Sequence, residues 1–231
     1  RQSCYALADY IYKQKGHRRV AVIRADNRYG RVGTMEFKDG AERIGHPIIL
    51  EVRFNDGETN FTKQLERIRK LSPDAVLIWG NATESALILN QMREMDMKQS
   101  VFASDRIVSP DFIRIAGKNA EGIITTCQYN PDADIPELKA FQQNYKKRFN
   151  QEPDVFAAHA YDGMNITIKA IQKAGLNRAL IRDLLTDMKT FQGYQGITGK
   201  IVFDASWNDI GDIWYAEVKN GKFVFFPIAL K

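Results

Sequence analysis

Short apolar runs alternate along the chain with longer stretches whose apolar positions recur every three or four residues. Cys4, Leu7, Ala8 and Ile11 make one such stripe, which predicts an amphipathic helix over 3–14 with Ser3 as its N-cap. Val20 to Ile23 is a short run without polar alternation, as expected of a parallel strand covered on both faces. Asp26-Asn27-Arg28 is a turn cluster, and Gly30 permits a backbone that a side chain would block. Val32, Phe37, Ala41 and Ile44 then share a helical face. The alternation continues with a strand over 47–54 and a helix through Phe61, Leu65, Ile68 and Leu71, capped by Thr59 or Asn60. A strand over 75–79, a helix over 82–95, a strand over 101–103, a helix opened by Ser109-Pro110 and a strand over 122–127 follow. This order predicts an α/β fold, a doubly wound parallel sheet with right-handed crossovers. The βα corners at 26–30, 55–60, 80–83 and 104–109 then lie on one edge, where open α/β sheets bind ligands. Tyr29, Asn81 and Asp105 become candidates to touch a single small molecule.

The second half breaks the pattern. Leu138, Phe141, Tyr145 and Phe149 mark one amphipathic helix, Tyr161, Met164, Ile168 and Ile171 another, and Ile181, Leu184, Leu185 and Met188 a third. Three apolar helical faces need something to pack against, and the first sheet already has helices for both of its faces. These helices are therefore expected to belong to another, incomplete lobe whose sheet comes from a missing N-terminal portion. Thr198 to Phe203 reads as a strand, and Trp214–Val218 with Lys222–Phe226 as a hairpin turning at Asn220-Gly221.

The 231 residues are 44% hydrophobic and 26% charged, ordinary proportions for a soluble globular protein. The net charge of +5 comes from basic residues scattered over predicted helix faces among acidic ones, without an aromatic ladder, so no nucleic-acid partner is expected. No run approaches the ~20 apolar residues of a membrane helix. The chain opens Arg1-Gln2-Ser3 rather than with Met, which predicts an excised or processed piece. Cys4 and Cys127 have no CxxC spacing; buried thiols are expected, with a bridge between the two left open. His17 and His46 fall in turns away from the site edge, and His159 lies among alanines. HExxH, GxSxG, Walker A and GxGxxG sequences are all missing, and Asp132 and Asp134 read as turn formers. An enzyme would have to rely on unmarked residues; neither a metal nor an organic cofactor is expected.

Several words run in a fixed order from one end of the chain to the other: Ala25-Asp-Asn-Arg-Tyr-Gly30, Phe54-Asn-Asp-Gly-Glu-Thr-Asn-Phe61, Pro73-Asp-Ala-Val76, Gln91-Met-Arg93, Ala120-Glu-Gly122, Glu152-Pro-Asp154, Ala160-Tyr-Asp162, Thr198-Gly199 and Phe203-Asp204. As an ordered set they resemble the type I periplasmic solute-binding proteins of ABC transporters, in the branched-chain amino-acid (leucine/isoleucine/valine) binding branch. The resemblance implies two α/β lobes that close on a ligand, with residues 1–123 and 213–231 as the second lobe. Residues 124–212 would be the returning part of the first, whose N-terminal portion has no counterpart here. It also implies an extracytoplasmic, non-catalytic receptor for an amino acid or related small polar metabolite, serving a membrane permease. Self-association through the bared helices is a further expectation. A ligand-sensing domain of a receptor or regulator would share the fold.

By the same resemblance, Asp105 matches an acidic residue that holds a ligand ammonium, a strong charge-assisted contact. A helix-capping or surface aspartate is the plain alternative. Tyr29 matches a loop tyrosine that packs on the ligand or bonds to it; an exposed loop tyrosine is equally consistent. Arg106 departs from the pattern: turned inward, it would neutralise Asp105 and suit a ligand carboxylate. Asn81-Ala82 departs too, standing where aromatic contacts are common. Tyr129, after a crossover, is expected to line the cleft.

Overall fold

The computed structural model describes residues 1–186, 193–204 and 206–228. They divide into two compact units, one of Arg1–Cys127 with the chain from Tyr215 onward, the other of Gln128–Trp214. The first unit begins with helix α1 (Gln2–Asp9), followed in order by β1 (Val20–Ala25), α2 (Arg28–Arg43), β2 (Leu50–Phe54), α3 (Thr62–Lys70), β3 (Ala75–Trp79), α4 (Ala82–Glu94), β4 (Ser100–Ala103), α5 (Pro110–Ala116) and β5 (Ile124–Cys127). The second contains α6 (Pro136–Phe149), α7 (Val155–Ala174), α8 (Arg178–Thr186), β6 (Tyr194–Gly196) and β7 (Gly199–Ile201). The chain then returns to the first unit with β8 (Trp214–Lys219) and β9 (Lys222–Pro227).

The first unit's sheet has seven strands in the order β2-β1-β3-β4-β5-β8-β9. Its β1–β2, β1–β3, β3–β4 and β4–β5 pairs are parallel. Successive side chains of a strand point to opposite faces, and the core divides accordingly. Ala21, Ile23, Val76, Ile78, Val101 and Ala103 pack with Leu65, Ile68, Leu89, Met92 and Phe112 of α3, α4 and α5. Val20, Val22, Leu77 and Phe102 pack with Leu7, Phe37 and Ala41 of α1 and α2. Every residue of β1 is therefore buried, which explains the unbroken apolar run Val20–Ile23 ahead of the buried Arg24. With α2 on one face and α3 to α5 on the other, the winding reverses between β1 and β3, creating a switch point at the carboxyl edge.

Some expectations shift. The first helix starts at Gln2 with Arg1 at its N-cap, so Ser3 lies inside it. Its end, Tyr10–Gln14, is a widened π-turn in which Tyr10, Ile11 and Tyr12 are buried. The N-cap of α3 is Phe61 rather than Thr59 or Asn60, and it makes no side-chain cap; Asn60, one residue earlier, accepts from the Thr62 N–H at 3.0 Å. Cys4 and Cys127 are buried as thiols rather than bridged.

In the second unit, the strand expected at 198–203 is present but shorter: β7 spans Gly199–Ile201 and pairs antiparallel with β6, and Thr198 lies outside it. The cause is Asp162 of α7, only 1% exposed. It accepts from the backbone N–H groups of Ile197 and Thr198, both at 2.9 Å, and from the Thr198 hydroxyl at 2.7 Å, which folds Thr198 into the turn. Helix α7 buries Ala158, Asp162, Ile166 and Ala170, whereas Tyr161, Met164 and Ile168 of its apolar stripe are 46%, 61% and 44% exposed. Met188 lies outside the described residues.

Candidate functional site

The switch point gathers side chains from three βα corners. After β1, Asn27 caps α2 by accepting from the Gly30 N–H at 2.9 Å. Gly30 must be glycine, since a Cβ there would stand 2.0 Å from the Ala25 carbonyl oxygen. This tight corner sets Tyr29 on the first turn of α2. Asp26 is occupied structurally, paired with the buried Arg24 at 3.1 Å and with Arg53 at 3.6 Å. Arg24 is in turn held by Glu51 at 2.7 Å.

After β4, Ser104 is buried and donates to the Gly80 carbonyl at 2.9 Å, tying the second corner to the third. Asp105 and Arg106 follow in a single 3-10 turn. The Tyr29 hydroxyl donates to Asp105 Oδ1. The Arg106 guanidinium lies 3.7 Å from the centroid of the Tyr29 ring, a cation–π geometry. Its Nη1 donates to Asn81 Oδ1 at 2.7 Å. Arg106 thus turns to Asn81 and the Tyr29 ring rather than forming an ion pair with Asp105. Burial, reinforced by the neighbouring Asp105 charge and hydrogen bond, pushes the Tyr29 phenol well above its usual range, so it remains a donor at neutral pH.

Tyr29, Asn81, Asp105 and Arg106 are therefore brought together, and Ala82 follows Asn81 as the first residue of α4, half-buried. Asn81 stands at the N-cap, yet its side chain serves Arg106 rather than the helix. Tyr129 is placed differently. It lies in the second unit, 3% exposed, in a core with Leu138, Phe141, Ala158 and Ile197. The residue that sequence reasoning passed over is Trp79, the last position of β3. Its ring packs against Tyr29 at 6.0 Å between centroids. The opposite support is Gly33, where a Cβ would come within 2.1 Å of the indole. The signal was present: Gly33 sits four residues after Tyr29 on the same helical face, opposite a large aromatic that ends a buried strand.

Several quoted words have structural explanations. Gln91 accepts from the Phe61 N–H at 2.8 Å and donates to the Thr59 carbonyl at 2.7 Å, pinning the loop before α3. Asp74 accepts from the N–H groups of Arg18 and Arg19. Glu121 accepts from the N–H of Asn220, at 2.9 Å, and of Gly221 in the β8–β9 turn. Among the described residues, no cluster of His, Cys, Asp and Glu is arranged to hold a metal ion, and no helix is long and apolar enough to cross a membrane.

Residues 1–222 match the periplasmic binding protein family. The chain belongs to that family. It is 27% identical over 190 residues to the Leu/Ile/Val-binding protein homolog 2 of Brucella abortus, an alignment covering 81% of this chain and 49% of that one. It is 25% identical over 167 residues to the leucine-, isoleucine-, valine-, threonine- and alanine-binding protein of Pseudomonas aeruginosa, covering 72% of this chain and 44% of the other. Among solved structures, a leucine-binding protein from Thermotoga maritima superposes with a TM-score of 0.88 at 29% identity, covering 97% of this chain and 64% of its own. The chain thus spans about half the length of the curated relatives it matches.

Proposed function

We propose that the protein is the solute-binding receptor of an ABC importer, acting outside the cytoplasm and handing an amino acid or related small polar metabolite to a membrane permease. It acts by binding rather than catalysis. The unit of Arg1–Cys127 and the chain from Tyr215 onward supplies one lobe, and Gln128–Trp214 contributes to the other. Closure of the lobes around the ligand is the working motion.

The observation that carries this reading is Asp105, an exposed carboxylate at the switch-point edge whose Oδ1 already accepts a hydrogen bond from Tyr29. A ligand ammonium makes a stronger, charge-assisted bond to the same group. The names of the Brucella and Pseudomonas relatives favour amino acids as the class.

The test is a thermal-shift panel on the full-length protein with aliphatic and polar amino acids, amides and aromatic acids. A ligand at ~100 times its dissociation constant adds about 2.7 kcal/mol of stability. An amino-acid shift that disappears in Asp105→Ala is the expected result. A shift with non-amines alone would overturn the role of Asp105. Turnover of a panel member without any shift would overturn the receptor reading.

A further inference from the structure

We infer that Arg106 is a specificity-determining residue that engages an acceptor oxygen of the ligand, a carboxylate or carboxamide, beside the ammonium held by Asp105. This rests on the amine-receptor reading above and adds a second requirement to it. The site would take amines that also carry an acceptor group and discriminate against simple amines.

The argument starts from how Arg106 is held. A guanidinium has five N–H donors in one plane. Its hydrogen bond to protein in this structure goes from Nη1 to Asn81 Oδ1. The guanidinium carbon lies over the Tyr29 ring, 3.7 Å from its centroid, a contact that covers one side of the group and uses none of its N–H donors. Those donors are not taken up by Asp105, which engages the Tyr29 hydroxyl instead. Asn81 and Tyr29 thus fix the orientation of a cation whose remaining donors are unmatched among the described residues. Asp105 and Arg106 stand one residue apart on the same turn, so an acid and a base are offered side by side without cancelling each other.

While the site is open, water satisfies those donors. Once a ligand excludes that water, an unmatched guanidinium is costly. A ligand acceptor removes that cost, and a planar fork suits a carboxylate in particular. A ligand without an acceptor leaves the donors stranded, the situation in which polar sites discriminate most strongly. The acceptor can come from the amino acid's own carboxylate or from its side chain, and the probes separate the two.

The experiment is calorimetric titration of the full-length protein, and of its Arg106→Ala, Arg106→Lys and Asp105→Ala variants, with L-leucine, L-glutamine, L-glutamate and 3-methylbutylamine. The expected result is at least tenfold weaker binding of 3-methylbutylamine than of the tightest amino acid, with that preference collapsing in Arg106→Ala and partly restored in Arg106→Lys. If the Arg106→Ala loss falls on leucine as well, the α-carboxylate is the group recognised. If it falls on glutamine or glutamate alone, the side-chain acceptor is. Unchanged ratios in Arg106→Ala, with binding still lost in Asp105→Ala, overturn the inference and leave the receptor reading standing. Absence of binding by every probe to the unsubstituted protein overturns the inference together with the amine-ligand reading of Asp105 on which it rests.

Discussion

Tyr29 at the start of α2 donates a hydrogen bond to Asp105 after β4, across 76 residues of sequence. The ring of the same tyrosine lies between Arg106 and Trp79. Removing only the hydroxyl keeps those contacts, so Tyr29→Phe is expected to cost about 0.5–1.5 kcal/mol. Tyr29→Ala also removes the stacking and should cost more. Urea midpoints of the two variants give the comparison, and equal losses would show that the ring contributes little.

Gly33 and Trp79 touch so closely that a methyl group at residue 33 would overlap the indole. Gly33→Ala is expected to destabilise by about 1–3 kcal/mol, as overpacking of a filled core does. Because the indole also backs Tyr29, tryptophan fluorescence should change with it. A stable variant with unaltered emission would contradict this packing.

Asp162 and Thr198 make a corresponding test in the second unit. Asp162→Ala leaves two backbone N–H groups and a hydroxyl without their acceptor. The expected loss is ~1.5–3 kcal/mol or more, the range for hydrogen bonds to a charged group. Thr198→Val, which removes only the hydroxyl bond, should cost less. Chemical denaturation of both variants decides the order.

Alkaline pH should unfold the protein. Burial pushes the Cys4 thiol from 9.0 up to about 12, and the Tyr215 phenol from 10.0 up to about 12. Tyr12 and Tyr29 are raised as well, each chiefly by burial. In the pH range between the unfolded and folded values, the unfolded chain has lost protons that the folded one keeps. Stability therefore falls as pH rises. It is complete below about pH 9 and declines toward pH 12 as these groups ionise. Melting temperatures across that range measure it. Cys4 should resist thiol reagents at pH 8 until the chain unfolds, and rapid labelling of the native protein would count against its burial.

The exposed row of Tyr161, Met164 and Ile168 on α7 should bind a hydrophobic dye and promote association of the 231-residue chain at high concentration. Met164→Lys with Ile168→Lys is expected to reduce both, as read by dye fluorescence and sedimentation. Unchanged behaviour of the double variant would place the association elsewhere.

The sheet was readable because β1 and β3 are buried on both faces and so carry apolar runs, Val20–Ile23 in the first and Ala75–Trp79 in the second. The corners were readable because parallel strands place them on one edge. That placement alone groups Tyr29, Asn81 and Asp105 from the sequence. What stayed hidden depended on contacts across the sheet. Nothing local reveals that Arg106 turns to Asn81, or that Trp79 is clamped by Gly33. Thr198 looked like a strand residue because its partner Asp162 lies on another element. The apolar stripe of α7 was visible, but periodicity alone did not show that Ala158, Ile166 and Ala170 form the buried side.

The placement of β8 and β9 has a consequence for how the polypeptide is made. The sheet of the first unit is finished by strands that follow the entire Gln128–Trp214 unit in the chain. On a translating ribosome, β1 to β5 emerge first, with the edge of β5 that will receive β8 still bare. Glu121, which holds the β8–β9 turn, waits for Asn220 and Gly221 throughout that interval. Translation of β8 and β9, rather than of the residues at the switch point, therefore sets the moment at which the first unit closes its sheet.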